Sequence, residues 1–115
     1  MKRITAYIQS HKLANVVHGL HGVEGLTGMS AYDVKGFGQA WREQDREKHV
    51  DEVELELLRN QVKVEIFCRD GLVATIVEMI VESARTGLSG DGKIYVSDVT
   101  DAVRIATGER GEDAI

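Results

Sequence analysis

Alternating apolar and polar residues predict four β-strands in this chain. The clearest is residues 61–68, QVKVEIFC, in which every second residue is apolar. Side chains of a strand point alternately to opposite faces, so this period of two indicates a strand with one buried face. The predicted strands are residues 2–8, 30–37, 61–68 and 93–99.

Two segments carry apolar residues at the three- and four-residue spacing of an amphipathic helix. The first is residues 11–23, and the second is residues 72–80, which follow the third strand. Asp70 stands where a helix N-cap would accept a hydrogen bond from a free backbone N–H. Gly87 stands where a residue in the left-handed conformation would end the second helix.

The order strand, helix, strand, strand, helix, strand predicts an α+β fold of the ferredoxin-like βαββαβ type. Its four strands form an antiparallel sheet with two helices on one face. Mixed charges and aromatic rings on the other face favour self-association of the chain over a simply solvated surface. The residues predicted on that uncovered face are Arg3, Thr5, Tyr7, Asp33, Lys35, Lys63, Glu65 and Phe67.

Composition narrows the class of protein without naming a function. A chain of 115 residues with 43% hydrophobic and 29% charged residues is typical of one soluble globular domain. The net charge of −5 gives no electrostatic support for nucleic-acid binding. No apolar run approaches the ~20 residues of a membrane span, and the first residues lack the apolar core of a signal peptide. The single cysteine, Cys68, suits a reducing compartment, so we expect a cytoplasmic protein.

A long polar connection joins the second and third predicted strands. It spans 23 residues, 38–60, whereas structureless loops above ~15 residues are uncommon and usually functional or disordered. One interpretation is a solvated charged excursion that continues the third strand. The other is a mobile arm that binds a partner protein, with Trp41 as its anchor. The candidate partner-binding residues of this arm are Trp41, Arg42, Arg46 and His49.

The segment TGLSGDGKI, residues 86–94, contains the beginning of a nucleotide-binding P-loop. A P-loop ends in Ser or Thr, which ligates magnesium, but this chain has Ile94 at that position. A P-loop also follows a strand and opens a helix, whereas this segment is predicted to close a helix and open a strand. Both departures argue against a P-loop. A tight turn with Lys93 in solvent and a phosphate-binding loop of another kind both remain open.

No catalytic or metal-binding cluster stands out. His18 and His21 are three residues apart on the first predicted helix, but no carboxylate or cysteine beside them completes a metal site. Cys68 shares the apolar side of its strand and is expected to be buried and inert. There is no serine–histidine–acid arrangement and no carboxylate pair, so we expect neither an enzyme nor a firm metal site.

Four stretches of the chain resemble the PII signal-transduction family, that of nitrogen regulatory protein P-II. They are MKRITAYI at the start, GLTGMSAYDVKGFG, ARTGLSGDGKIYV, and AVRIATGERGEDAI at the end. The resemblance thus covers the chain from end to end. It implies a homotrimer of ferredoxin-like subunits that binds adenine nucleotides in the clefts between subunits. It also implies a T-loop that docks on transporters, enzymes or regulators.

The resemblance divides one domain, residues 1–115, into functional segments. Residues 38–60 correspond to the mobile T-loop, residues 86–93 to the B-loop, and residues 102–115 to the C-terminal segment. Arg104 is expected to reach the nucleotide phosphates from a neighbouring subunit. The nucleotide-binding residues that the resemblance implies are Gly28, Met29, Ser30, Gly36, Phe37, Gly38, Glu65, Phe67, Gly90, Asp91, Gly92, Lys93 and Arg104.

The chain departs from the family pattern at positions that serve the γ-phosphate. Gln39 replaces an arginine, Ala40 the glutamine that helps bind magnesium and 2-oxoglutarate, Gln61 a lysine and Ala106 the second C-terminal arginine. Each lost cation removes a charge-assisted contact of roughly 1.5–3 kcal/mol. We therefore expect ADP or AMP to bind as well as ATP or better, and 2-oxoglutarate not to be sensed, although complete loss of nucleotide binding stays open. No tyrosine lies between residues 40 and 60, so the uridylylation site is absent.

These features leave two hypotheses of different class. In the first, the chain is a PII-like regulator in which ADP, AMP or ATP controls a partner protein through the T-loop. In the second, it is a nucleotide-independent interaction module with a degenerate pocket, tied to a transporter of bicarbonate or metal. A slow ATPase is a weaker third reading, because Ala40 and Gln61 stand in place of the glutamine and lysine.

Overall fold

The computed structural model describes residues 1–36 and 59–115. A single four-stranded antiparallel sheet, in the order β2-β3-β1-β4, carries two helices on one face. The predicted ferredoxin-like fold is confirmed. The elements are β1 (Lys2–Gln9), α1 (Leu13–His21), β2 (Ser30–Gly36), β3 (Arg59–Cys68), α2 (Val73–Ala84) and β4 (Gly92–Asp98). Short 3₁₀ helices cover Ser10–Lys12, Asp70–Leu72 and Gly111–Ala114.

The core lies between the sheet and the two helices. Every second residue of β1 and β3 is buried, as their alternating pattern predicts, and meets the apolar stripe of each helix. Burying one such aliphatic side chain contributes about 1.5–3 kcal/mol. The core residues are Ile4, Ala6 and Ile8 of β1, Val62, Val64, Ile66 and Cys68 of β3, Val16 and Leu20 of α1, and Ile76, Ile80 and Ala84 of α2.

Cys68 is the last residue of β3 and lies in this core. Its thiol is free and buried, as predicted. Burial raises the pKa of the Cys68 thiol, because a thiolate is poorly solvated among apolar side chains. The thiol is therefore neutral and unreactive in the folded chain.

The strand register corrects the predicted composition of the uncovered sheet face. Tyr32 pairs with Lys63 and therefore lies on that face, whereas Asp33 pairs with Val62 and lies on the helix side. Lys35 follows Asp33 on the helix side, so the placement of both residues on the uncovered face was wrong. Because β2 is an edge strand, Asp33 and Lys35 stay exposed there. The other predicted residues of the face have the expected register.

Both predicted helix-end signals act differently in the structure. Asp70 caps no helix, because its carboxylate accepts a hydrogen bond from the Met1 amino group at 2.9 Å and this pairing lowers the Asp70 pKa. Gly87 does adopt a positive φ of 84°, but α2 has already ended at Ala84, where Arg85 turns to an extended conformation. Gly87 therefore shapes the loop that follows the helix, and the helix itself ends before it.

The order of elements around residues 86–94 also argues against a P-loop. The segment leaves α2 and enters β4, whereas a P-loop joins a strand to a helix. The predicted arm, residues 38–60, lies outside the described residues except for its last two positions, which begin β3. Within the described ranges, no helix is long and apolar enough to cross a membrane.

Candidate functional site

Five of the predicted nucleotide-binding residues line one cleft of about 530 Å³, called the Glu65 cleft here. They come from the start of β2 and the end of β3, which pair so that Ser30 lies opposite Glu65. The stretch after β4, which includes the C-terminal segment, contributes most of the rest of the lining. The five residues are Gly28, Met29, Ser30, Glu65 and Phe67, and the stretch after β4 contributes Val99, Asp101, Ala102, Val103, Ala114 and Ile115.

Glu65 is held in a defined position on the uncovered face of the sheet. The Tyr32 hydroxyl donates to Glu65 Oε1 at 3.0 Å, and Lys63 Nζ lies 3.9 Å from Glu65 Oε2. The Glu65 side chain is only 15% exposed. The hydrogen bond to the carboxylate raises the Tyr32 pKa, because ionising the phenol would remove this donor and add a second negative charge. Lys63 Nζ also lies 5.3 Å from the centre of the Tyr32 ring.

Phe67 gives the Glu65 cleft an exposed aromatic surface. Phe67 is 44% exposed, and in the sheet it lies opposite Arg3 of β1. Aromatic rings gain additional stabilisation when another flat ring stacks on them. The half-buried Met29 lines the same cleft. The cleft thus combines a flat apolar surface with the oriented Glu65 carboxylate, which suits a planar ligand carrying hydrogen-bond donors.

Asp91 organises the B-loop from within. Its carboxylate accepts hydrogen bonds from the Thr86 backbone N–H at 2.8 Å, the Gly87 N–H at 3.1 Å and the Thr86 hydroxyl. These donors lower the Asp91 pKa, the Thr86 hydroxyl being the largest cause, because they stabilise the ionised form. Asp91 therefore fixes the shape of the loop. The sequence analysis predicted it only as a nucleotide-binding residue.

Gly90 and Gly92 let the loop pass close to the end of β1. Gly92 has φ 108°, and a Cβ built there would lie 1.7 Å from the Tyr7 carbonyl oxygen, so only glycine fits. Gly90 has φ 91°, and its carbonyl accepts a hydrogen bond from the Gln9 side chain at 3.1 Å. The loop is thus fastened at both glycines to β1.

Lys93 and Arg104, the two predicted phosphate-binding cations, lie in different surroundings. Lys93 is exposed, and among residues 1–36 and 59–115 no carboxylate pairs with it. Arg104 donates to the Asp113 carbonyl at 3.1 Å and lies 3.5 Å from Glu109 Oε1. Lys93 thus meets no carboxylate of the described residues, while Arg104 is engaged by its own C-terminal segment.

The predicted site is divided between the two ends of the sheet. Gly92 of the B-loop pairs with Ile8, whereas Phe67 of the Glu65 cleft pairs with Arg3. These positions on β1 are about 17 Å apart at the usual rise per strand residue. Gly36 belongs to the B-loop end, because it lies beside Gln61, which pairs with Gln9. One chain therefore does not bring the two halves together.

Several residues of the site were either missed by sequence reasoning or fall outside the structure. Tyr32, Thr86 and Gln9 each hold a predicted residue in place but were not predicted. The T-G-x-x-x-D spacing of residues 86–91 is the local signal that could have identified Thr86. The predicted residues Phe37, Gly38, Trp41, Arg42, Arg46 and His49 lie outside the described ranges. Within those ranges, no group of three or more potential ligands could hold a metal ion.

Comparison with known proteins agrees with the fold and with the resemblance. Residues 1–109 match the family described as nitrogen regulatory protein P-II. The chain is 44% identical over 115 residues to nitrogen regulatory protein P-II 1 of Methanothermobacter thermautotrophicus, covering all of this chain and 97% of the relative. It is 41% identical over 115 residues to nitrogen regulatory protein P-II of Rhodospirillum rubrum, covering all of both chains.

A solved structure supports the same assignment. The chain superimposes on Arabidopsis thaliana PII bound to citrate with a TM-score of 0.77 and 32% sequence identity. The match covers 99% of this chain and 91% of the plant protein. Both the family and the ferredoxin-like fold expected from the sequence are thereby confirmed. The chain belongs to the nitrogen regulatory protein P-II family.

Proposed function

We propose that this chain is a regulatory protein, not an enzyme, that binds an adenine nucleotide between neighbouring subunits of a homotrimer. ADP or AMP binds at least as well as ATP, and the nucleotide controls a partner protein through residues 38–60. One observation carries the proposal: residues from separate parts of the chain, predicted to surround the adenine and ribose, line a single cleft of about 530 Å³. That volume is typical of small-molecule sites.

The Glu65 cleft suits the adenosine part of the ligand. The exposed Phe67 ring offers a surface for a purine, and the Glu65 carboxylate offers acceptors for its amino group or for ribose hydroxyls. Because the Tyr32 hydroxyl already binds one carboxylate oxygen, the side chain needs little reordering when a ligand arrives. Such preorganisation reduces the entropy cost of binding.

The B-loop suits the phosphates. The glycines at 90 and 92 carry no side chain, so backbone N–H groups can approach an anion closely. Lys93 adds a positive charge that no described carboxylate neutralises. Because the loop and the Glu65 cleft lie at opposite ends of the sheet, a nucleotide would use the loop of one subunit and the cleft of the next. Arg104 would then reach the phosphates from the second subunit.

The nucleotide preference follows from missing cations at the B-loop end. Gln61 stands near the start of β3, where the family has a lysine, and it pairs with Gln9, whose side chain holds Gly90. A neutral amide there forfeits a contact of roughly 1.5–3 kcal/mol to the γ-phosphate. ADP and AMP do not need that contact. The same loss, together with Ala40, removes the means of sensing 2-oxoglutarate.

Residues 38–60 supply the surface for a protein partner, a transporter or an enzyme. Their composition supports this part, because Trp41 stands among charged residues, including Arg42, Arg46 and His49. The lone buried Cys68 supports a cytoplasmic location. In this proposal the nucleotide is an effector, and its binding shifts the population of conformations that can bind the partner.

Isothermal titration of the intact trimer with ADP, AMP and ATP tests the nucleotide part. We expect heat with ADP and AMP, and no enhancement of ATP binding by 2-oxoglutarate with magnesium. Lys93→Ala should abolish binding. Lys12→Ala is the matched control, because Lys12 is a cation close enough to lower the Asp91 pKa but lies outside the loop. Absence of heat with all three nucleotides on an intact trimer would refute nucleotide binding.

A nucleotide-independent interaction module is the second candidate. It is favoured by the engagement of Arg104 with Asp113 and Glu109 of its own chain, which lessens its availability to phosphates. A pull-down of cell partners with and without ADP separates the two candidates. Recovery of the same partner in equal amount under both conditions supports the module, while a change with ADP supports the regulator.

A further inference from the structure

We propose that the uncovered face of the sheet binds a small anion carrying phosphate or carboxylate groups, at a site separate from the proposed nucleotide site. The site is a pocket of about 410 Å³, called the face pocket here. It shares no lining residue with the Glu65 cleft or the B-loop, and the inference does not depend on nucleotide binding. The residues that line the face pocket are Arg3, Thr5, Tyr7, Lys63 and Tyr95.

The uncovered face is positively charged although the chain as a whole is acidic. Tyr7 lies opposite Lys63 of β3 and Lys93 of β4, and Arg3 is on the same side of β1. Of the acidic residues in the described strands, only Glu65 shares this face, and the other two lie on the helix side. Three cations beside one carboxylate, on a chain of net charge −5, concentrate positive potential at a place that an anion can occupy.

Arg3 is oriented by a neutral partner. Its Nε donates to Ser97 Oγ at 3.2 Å, and no carboxylate of residues 1–36 and 59–115 pairs with its guanidinium. A guanidinium binds a carboxylate or a phosphate through two parallel N–H donors. The hydroxyl of Ser97 therefore holds the side chain in place without neutralising it, as a preformed anion site requires.

Lys63 is the second cation of the face pocket and is only loosely paired. Its Nζ lies 3.9 Å from Glu65 Oε2, which is beyond hydrogen-bond distance, and 5.3 Å from the centre of the Tyr32 ring. The other oxygen of Glu65 accepts the Tyr32 hydroxyl. An ammonium group has three donors, so Lys63 can bind an oxyanion without breaking a hydrogen bond to Glu65.

Hydroxyl groups and aromatic rings form the rest of the face pocket. Thr5 is 8% exposed and lies on β1 between Arg3 and Tyr7. The rings of Tyr7 and Tyr95 meet edge to face, with centroids 6.2 Å apart and planes at 84°, so each ring restrains the other. Hydroxyl groups can donate to an oxyanion, and the described lining contains no carboxylate that would repel one.

The positions of the two cations define the class of ligand. Arg3 is four residues from Tyr7, which lies opposite Lys63, so the two cations are about 13 Å apart along β1 at the usual strand rise. Their long side chains approach the pocket from its two ends. This arrangement suits an anion with more than one negatively charged oxygen, and the volume leaves room for a small organic body between the tyrosine rings.

The proposed trimer is compatible with an occupied face pocket. The composition of this face favours self-association, which would bring cations of neighbouring copies together. Burying cations without carboxylate partners is costly. A bound oxyanion would offset that repulsion, so it suits a sheet that packs against its copies as well as one that faces solvent.

Isothermal titration of the full chain with inorganic phosphate, and separately with succinate, tests for the site. Sodium chloride keeps the ionic strength constant, so that general screening does not contribute. We expect saturable heat, and the tighter of the two probes tells whether the pocket favours phosphates or dicarboxylates. Absence of saturable heat with both probes would overturn the inference.

Single substitutions locate the bound anion. Arg3→Gln and Lys63→Gln should each weaken binding by roughly 10- to 150-fold, because each removes a charge-assisted contact. Thr5→Val should weaken it less. Lys35→Gln is the matched control, since it makes the same charge change at an exposed residue on the helix side of β2. Equal weakening by Lys35→Gln would show attraction to the overall charge and would contradict a defined site.

Folding of the variants does not limit the test. Arg3 is exposed, so Arg3→Gln should keep the circular dichroism spectrum and the oligomeric state of the wild type. If Lys63→Gln, at a half-buried position, fails to fold, the result with Arg3→Gln decides alone. Wild-type affinity for both probes in a folded Arg3→Gln variant would overturn the inference.

The face pocket and the proposed nucleotide site can be separated by crossed measurements. Lys93→Ala should retain most of the phosphate or succinate binding, and Arg3→Gln should retain ADP binding. Loss of anion binding in Lys93→Ala but not in Arg3→Gln would place the anion at the B-loop and overturn the inference. Anion binding that depends on Arg3, in a chain that binds no nucleotide, would support the face pocket while the nucleotide proposal fails.

Discussion

The B-loop and the Glu65 cleft are built in opposite ways. The B-loop is one continuous segment, and Asp91 closes it with hydrogen bonds to residues within five positions of itself. The Glu65 cleft combines the start of β2, the end of β3 and two parts of the chain that follows β4. A local motif can therefore form the first, whereas the second exists only when the whole sheet and the C-terminal segment are in place.

This difference predicts that the two regions respond differently to substitution. Changes in the B-loop should disturb the chain itself, because the loop is fastened to β1 through Gly90 and Gly92. Changes in the exposed part of the Glu65 cleft should disturb ligand binding and leave folding nearly unchanged. The three predictions below test that contrast, from the largest expected effect to the smallest.

Gly92→Ala should cause the largest loss of stability. The new Cβ would lie 1.7 Å from the Tyr7 carbonyl oxygen, and alanine would have to adopt φ 108°. We expect the free energy of unfolding to fall by roughly 2–4 kcal/mol, since β1 and β4 must separate or the loop must rearrange. Urea denaturation measures the change. Gly71→Ala is the control, because nothing lies within 4 Å of its added Cβ, and an equal loss there would contradict the explanation.

Phe67→Ala should reduce nucleotide affinity while leaving folding almost unaffected. The ring is 44% exposed in the Glu65 cleft, so its removal opens no core cavity. Loss of stacking worth about 0.5–1.5 kcal/mol corresponds to roughly 2- to 13-fold weaker binding. Titration calorimetry with ADP measures it, and Phe67→Tyr should bind normally. Unchanged ADP affinity in Phe67→Ala would remove the ring from the proposed site.

Asp91→Asn should change the acid sensitivity of the fold by a smaller amount. The hydrogen bonds from Thr86 and Gly87 lower the Asp91 pKa in the folded chain relative to its usual value of about 3.9. Its stabilising contribution is thus complete above that value and is lost as the pH falls through the lower folded pKa. As the pH is lowered from 6 to 2, the denaturation midpoint of Asp91→Asn should fall less steeply than that of the wild type. Asp33→Asn, at an exposed carboxylate on the far edge strand, should decline as the wild type does.

The sequence predicts the strands and helices well where one face is buried. In β1 and β3 the apolar residues of the alternating pattern are the buried ones, so the sequence predicted correctly which face of each strand is buried. In β2 every residue is exposed or half-buried, and Asp33 and Lys35 were assigned to the wrong face. The apolar residues Tyr32 and Val34 of this edge strand lie on the uncovered face, so its alternation indicated the wrong side of the sheet.

Tertiary contacts explain the remaining differences. Asp70 has the sequence context of a helix cap, but the Met1 amino group, distant in sequence, takes its carboxylate. Tyr32 binds Glu65 only because β2 and β3 pair in this register. The residues expected to surround the base were implied by the family resemblance alone, since no spacing in the sequence connects Gly28 with Phe67. The segments that form the cleft become neighbours only on folding.

Because Cys68 is buried, its reaction with a thiol reagent can report local unfolding at the end of β3. With one cysteine in the sequence, any reaction with a thiol reagent occurs at the end of β3. Because the folded thiol is covered and protonated, alkylation requires the β3 end to detach from the sheet. The rate of labelling therefore measures how often this strand end, which also carries Phe67, leaves its native position.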